Sequence, residues 1–145
     1  MAKVGPRTER LLLTVEPEFA DVVRHAMLAA PDWLDFAVVS GKRTTEEQQE
    51  LFAQGRDENG EIVDQSLVTT YRDGVEVLSN HQDHDGNGYG EAIDIVAFVN
   101  GRPDFREMFV MRVAAYVVGY AKARGLDLTG GVKWMWDVGH LELDR

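Results

Sequence analysis

Gly90-Glu91-Ala92-Ile93-Asp94-Ile95-Val96-Ala97-Phe98-Val99-Asn100-Gly101 is the stretch on which the fold turns. Positions 92–99 are apolar except for Asp94 and close on the turn pair Asn100-Gly101, the pattern of a buried strand. Downstream, 104–124 reads as the longest helix. Phe105, Met108, Phe109, Val113, Tyr116, Val117 and Tyr120 recur there at core-facing spacing, and Gly125 ends it. Two short strands are expected after it, near 132–136 and 140–143. Upstream lies a long polar segment, 56–80, with a turn at 57–61 and a candidate strand at 75–78. A loop that long in so small a domain is usually functional. It follows a helix that starts at the capping-box pair Thr44 and Glu47 and stops at Gly55. A short strand at 36–39 precedes that helix. Before it, 17–30 is helical, with Pro17 in its first turn and Phe19, Val22, Val23, Ala26, Met27 and Ala30 on one face. His25 falls off that stripe and reads as a surface residue. This order gives an α+β fold over residues 1–145: one domain with helices packed on a small, mainly antiparallel sheet.

The totals exclude several classes. The 145 residues suffice for one domain with a real core and are too few for two ordinary ones. No apolar run reaches membrane-spanning length. Residues 1–9 carry basic groups, but only Leu11 to Leu13 follow as an apolar run, so no signal peptide is expected. The net charge of −10, with no cluster of Lys or Arg, argues against a nucleic-acid partner. It also argues against attraction to lipid head groups or anionic wall polymers. Without cysteine there is neither a disulfide nor a thiolate site, so any transition metal must be held by carboxylates and the four histidines, His25, His81, His84 and His140.

Two islands carry chemistry. One is Ser79-Asn80-His81 followed by Gly90 to Asp94; the other is Asp137-Val138-Gly139-His140-Leu141-Glu142. A catalytic zinc ion takes about three protein ligands and keeps one position open. His81, Asp94 and His140 are such a set, two of them on or beside expected strands. Spacing alone leaves open that they are unrelated surface residues.

The patterns Ser-x-His, Gly-x-Ala-x-Asp and Asp-x-x-His-x-Glu together resemble the M15 family of zinc peptidases. That family includes D-alanyl-D-alanine carboxypeptidases, D,D-dipeptidases and phage L-alanyl-D-glutamate endolysins. Ser40-Gly41-Lys42-Arg43-Thr44 with Gln48 and Gln54-Gly55 is similar to its Gly-x-Arg-Thr segment and following helix. The stretch from Arg10 to Pro17 is similar to the opening of the phage endolysins. The resemblance covers nearly the whole chain in order. It implies one Zn2+ on His81, Asp94 and His140, with Asp137 as general base and Arg43 as the cationic donor that steadies substrate or the developing oxyanion. It implies peptidoglycan as the partner, most closely its L-alanyl-D-glutamate bond. An endolysin of this kind would be a monomer held in the host cytoplasm until lysis releases it to the wall. A D,D-carboxypeptidase or D,D-dipeptidase of the same family, or a non-catalytic metal- or peptide-binding module, are the alternatives.

The chain departs from the family at one place. His81 and Asp94 are thirteen positions apart rather than the family's usual seven. The extra segment, 82–89, makes His84 a rival ligand, although only His81 completes Ser-x-His. Asp83, Asp85 and Asn87 alternate there before Gly88, as in the first half of an EF-hand loop, so a Ca2+ site is set beside the reading of a plain polar loop. Glu142, two positions from His140 on a strand, points to the same face and is a candidate to orient a ligand histidine. Ser79 joins it as a candidate for ligand support or substrate contact. Trp134 and Trp136 read equally as groove lining or as core.

Overall fold

The strand at the heart of the sequence, β2 (Ala92–Val99), is also the heart of the sheet. The structure is a computed structural model that describes residues 4–134 and 136–144. Its other strands are β1 (Asp35–Ser40), β3 (Arg102–Asp104), β4 (Leu128–Gly130) and β5 (His140–Leu143). All pairings are antiparallel, in the order β1-β2-β5-β4, with β3 paired to β2 as well. Ala97 pairs with both Phe36 and Asp104, so β3 and β5 share one edge of β2, opposite β1.

Alternation along β2 sends Ile93, Ile95 and Ala97 into the core and leaves Asp94 on the other face. The core is closed by two helices, α2 (Pro17–Ala29) and α4 (Glu107–Ala123). Phe19, Val23 and Met27 of α2 meet Val113, Ala114 and Val117 of α4 over Phe36, Val38 and Leu141. Each is almost wholly buried, and burying a side chain of Val, Leu or Phe size contributes about 1.5–3 kcal/mol. The α+β expectation therefore holds, with helices on a small antiparallel sheet. The helix α3 (Thr45–Ala53) begins on the expected capping box: Thr44 Oγ1 accepts from Glu47 N, and Glu47 Oε1 accepts from Thr44 N, both at 3.1 Å.

Four local expectations need correction. A first helix, α1 (Pro6–Leu12), was not anticipated. It is short and is held by tertiary packing, with Leu12 fully buried. Asp104 does not start the long helix. Asn100 and Gly101, at φ 52° and 76°, reverse the chain in two residues, so 102–104 returns as an edge strand on 97–99. Pro103 is tolerated there because an edge strand need not donate on both sides. Residues 75–78 are irregular rather than extended, because Asp73 Oδ1 gathers the amides of Val75, Glu76 and Val77 into a tight loop. The strand expected at 132–136 falls instead on β4, and Gly131–Trp134 coils into a helical turn, α5. A Cβ at Gly131 would lie 1.7 Å from Asp137 O, and one at Gly130 would lie 2.0 Å from His140 O. The chain folds back on itself too closely there for a strand to continue. Met135, inside the expected strand, lies outside the described residues.

Candidate metal centre and its cleft

Register sets the first two members of the site. Asp94 of β2 stands directly opposite His140 of β5, where cross-strand Cβ atoms are about 5 Å apart. His140 Nδ1 lies 3.3 Å from Asp94 Oδ1. The third member, His81, comes from a turn rather than a strand. Its backbone is braced on both sides: Arg43 N donates to His81 O at 2.8 Å, His81 N donates to Ser79 Oγ at 3.2 Å, and Glu91 N donates to Asn80 O at 2.8 Å. This places His81 Nε2 3.3 Å from Asp94 Oδ2. One ligand atom from each of His81, Asp94 and His140 falls within 4.8 Å of the others.

The outer nitrogens of both rings are engaged. His81 Nδ1 meets Gly41 O at 2.8 Å, and a carbonyl can only accept, so that nitrogen carries the proton. His140 Nε2 meets Glu142 Oε1 at 3.0 Å. Glu142 Oε2 in turn accepts from Asn80 Nδ2. Each imidazole thus turns its remaining nitrogen inward with a fixed orientation, the outer support that metal-binding histidines use. Two nitrogens and a carboxylate with an open side fit a catalytic zinc ion.

The three groups also hold one another. Burial opposes charge on Asp94, but hydrogen bonds from His140 and His81 outweigh it and hold the carboxyl far below the usual range. Burial also disfavours His140 as imidazolium, yet its bonds to Asp94 and Glu142 prevail and raise it to about 9.

Asp137 and Arg43 flank this cluster. Asp137 follows the α5 turn at φ 48°, a left-handed conformation that Asp and Asn tolerate best among side-chain-bearing residues. It is open to the cleft, yet partial desolvation and the Asp94 charge raise its carboxyl above the ordinary range, against the pull of His140, His81 and Arg43. Arg43 is half-buried. Burial lowers its pKa against the charges of Asp94, Glu47 and Asp137, and its Nη1 donates to Gln48 Oε1 at 2.7 Å.

These groups sit in a cleft of about 1310 Å³. Trp134 stacks on His140 at 5.7 Å and on Trp136 at 5.4 Å. With 37% and 64% of their surfaces exposed, the two rings line the cleft and are not core. The long loop also lines the cleft, through residues that include Thr70, Tyr71 and Arg72. The sequence flagged that loop only by its length. Phe105, read from the sequence as core-facing within the long helix, instead precedes that helix, is exposed and lines the cleft, as does Glu107, for which the sequence held no signal.

His84 does not join the cluster; its Nε2 meets Ser79 O at 2.8 Å. Ser79 is buried and braces the His81 turn. In the inserted loop, Asp83 is used by the amides of Gly86 and Gly88, and Asp85 Oδ1 by that of Asn87. Asn87 bonds to Glu16. The acidic atoms that converge there are those of Glu16, Asp85 and Glu91, within 4.8 Å of one another.

A partly buried His-Asp-His cluster with an adjacent carboxylate and guanidinium, lining an open cleft, has the composition of a metal-dependent hydrolase site. Residues 1–144 match the family described as phage L-alanyl-D-glutamate peptidase, and the chain belongs to that family of peptidases. It is 26% identical to the L-alanyl-D-glutamate peptidase of Escherichia phage T5 over an alignment of 157 positions, covering 97% of each protein. Its fold is similar to that of the Serratia marcescens L-Ala D-Glu endopeptidase ChiX. The TM-score is 0.70 at 22% identity, over 98% of this chain and 90% of that one. Among the described residues no helix is long and apolar enough to cross a membrane.

Proposed function

We propose that the chain is a zinc-dependent endopeptidase that hydrolyses the L-alanyl-D-glutamate bond in the peptide stem of bacterial peptidoglycan, acting as a phage endolysin. The observation that supports this best is the convergence of His81 Nε2, the Asp94 carboxylate and His140 Nδ1, with both outer ring nitrogens engaged. A zinc ion held by these three supplies Lewis acidity, which polarises a carbonyl and makes water nucleophilic near neutral pH.

The chain's own residues do the rest. Asp137 takes a proton from the attacking water and returns it to the leaving amine of the glutamate. A carboxyl raised above its ordinary range is a stronger base for that task. Arg43 supplies a fixed cationic donor where negative charge grows on the scissile carbonyl oxygen. Glu142 holds the His140 ring, and Trp134 and Trp136 form an apolar platform for the substrate. The enzyme works as a monomer, kept in the host cytoplasm until lysis opens its way to the wall. A calcium ion at the inserted loop would draw on Asp83, Asp85 and Asn87, and the carboxylates of Glu16 and Glu91 converge on that of Asp85. Calcium titration of the zinc-loaded protein tests this by heat of binding and melting temperature.

The test of the main reading is a digest of defined peptidoglycan by the zinc-loaded and chelated protein, analysed by mass spectrometry. Zinc-dependent appearance of a new glutamate amino terminus is expected. Release of terminal D-alanine would assign a D,D-carboxypeptidase instead, and cleavage unchanged by chelation would reject the metal assignment.

A further inference from the structure

Helix α3 has a single buried residue, and it is a glutamine. Gln48 is 0% exposed, while the remaining positions of the helix are exposed or half-exposed. A short amphipathic helix normally docks through an apolar stripe; this one presents an amide to the protein interior. Both ends of that amide are used. Oε1 accepts from Arg43 Nη1 at 2.7 Å. Nε2 donates to Arg72 O at 2.7 Å and to Thr70 Oγ1 at 3.3 Å. A Cβ at Gly74 would come within 2.9 Å of the Gln48 side chain, so the long loop closes directly over it. Gln48 therefore ties the guanidinium beside the metal centre to the part of the long loop that lines the cleft. The second buried glutamine, Gln82, secures the same loop lower down, donating to Gly74 O at 3.0 Å and accepting from Ser79 N at 2.9 Å.

We propose that Gln48 is a positioning residue for the reaction: its amide fixes the Arg43 guanidinium and the Thr70–Arg72 wall in one geometry, so that substrate seated on the wall presents its scissile carbonyl to Arg43. This rests on the role given to Arg43 in the proposed function. The physical need is plain. An Arg side chain has many rotamers to lose, and a donor that must be ordered during the reaction stabilises the transition state less than one ordered beforehand. In Arg43 that ordering comes from uncharged acceptors, chiefly Gln48 Oε1 at 2.7 Å, with Ser79 Oγ at the longer distance of 3.5 Å.

The test separates the two ends of the amide. Gln48→Met removes both, and is expected to lower kcat about tenfold to a hundredfold, as small misplacements of catalytic groups do, and to raise KM through the loosened Thr70–Arg72 wall, with zinc content unchanged. In the Arg43→Ala background the same substitution should change kcat by no more than about twofold, because the residue it acts through is gone. Equal losses in both backgrounds would overturn the assignment. Gln48→Glu keeps the acceptor toward Arg43 and loses the donor toward Arg72 O; kcat should recover much of the loss while KM stays raised. If Gln48→Met does not fold, this split alone decides, and a parallel fall in kcat with no change in KM would overturn it. A readout independent of turnover is 15N relaxation of the Arg43 Nε–H group in metal-free protein. It should report an ordered side chain in the wild type and in Gln48→Glu, and a mobile one in Gln48→Met. An Arg43 equally ordered in Gln48→Met would overturn the assignment even if the protein cleaves peptidoglycan as proposed. Ordered-to-mobile behaviour in a protein that cleaves nothing would leave the positioning intact and reject the function.

Discussion

Replacing Asp137 tests the base, and the backbone decides which replacement to use. Asp137 sits at φ 48°. Alanine in that conformation carries a Cβ clash of about 1–2 kcal/mol that Asn and Asp largely escape through local hydrogen bonding. For a chain of this length about 1 kcal/mol corresponds to roughly 3 °C in melting temperature. Asp137→Ala should therefore melt roughly 3–6 °C below the wild type even if the carboxylate has no structural part. Asp137→Asn keeps the shape and the left-handed preference. It also removes a charge whose carboxyl is raised by burial and by Asp94, so metal-free Asp137→Asn should melt at or above the wild-type temperature. Catalytically the two variants should agree. General-base catalysis contributes about 10²–10⁴-fold, equivalent to about 3–5 kcal/mol of barrier, and each variant should lose that much of kcat while retaining one zinc. The assays are metal content, calorimetric melting and single-turnover cleavage of a purified muropeptide. If Asp137→Asn keeps more than about a tenth of the rate, the carboxylate is not the base. If the two variants lose activity in proportion to lost zinc, Asp137 supports the metal rather than the proton transfer.

Chelation should abolish cleavage and one equivalent of zinc per chain restore it, whereas a fully active metal-free preparation would contradict the site. His84→Ala should retain zinc and His81→Ala should lose it, as read by metal content after gel filtration; the reverse would reassign the ligand. In metal-free protein the His140 imidazolium is raised to about 9. The stability contributed by its bonds to Asp94 and Glu142 is thus complete below about pH 6.5 and is lost as the pH climbs through about 9. Denaturant melts of the chelated protein at pH 6 and pH 9.5 should show this decline, and equal stabilities would refute it. Glu142→Gln, which leaves His140 a neutral acceptor, should weaken zinc binding about 10–100-fold without abolishing it, as measured by competition with a chromophoric chelator.

What the sequence made legible was whatever is encoded over a few residues. The Thr44–Glu47 box, the Asn100-Gly101 reversal and the buried strand at 92–99 each carry their signal locally, and each stands in the structure. The candidate ligands were legible because three short motifs occur in order. The residues that support them were not. Gln48 and Gln82 are polar residues whose burial depends on partners more than twenty positions away or in an irregular loop. Helix α1 is too short to declare itself by periodicity, and β3 exists only because a two-residue turn returns it to β2. The turn at α5 follows from backbone approach at Gly130 and Gly131, which hydropathy does not register.

The thirteen-position interval between His81 and Asp94 shows why ligand spacing along the chain can change while the site stays the same. Asp94 and His140 are fixed by strand register, which allows no slack: a slip of one residue would turn Asp94 into the core. His81 is fixed differently. The amides of Arg43 and Glu91 hold its turn from both sides, and Gly90 packs so closely on it that a Cβ there would lie 2.6 Å from His81 O. Chain between those two anchors can lengthen without moving either. Going from seven positions to thirteen nearly doubles the interval, which costs only about 0.6 kcal/mol in closure entropy. The added residues 84–88 are exposed, and Lys42 Nζ ties the loop back by donating to Gly88 O at 2.9 Å. An insertion inside 92–94 or 140–142 would have no such freedom, because it would break the cross-strand pair that sets Asp94 against His140.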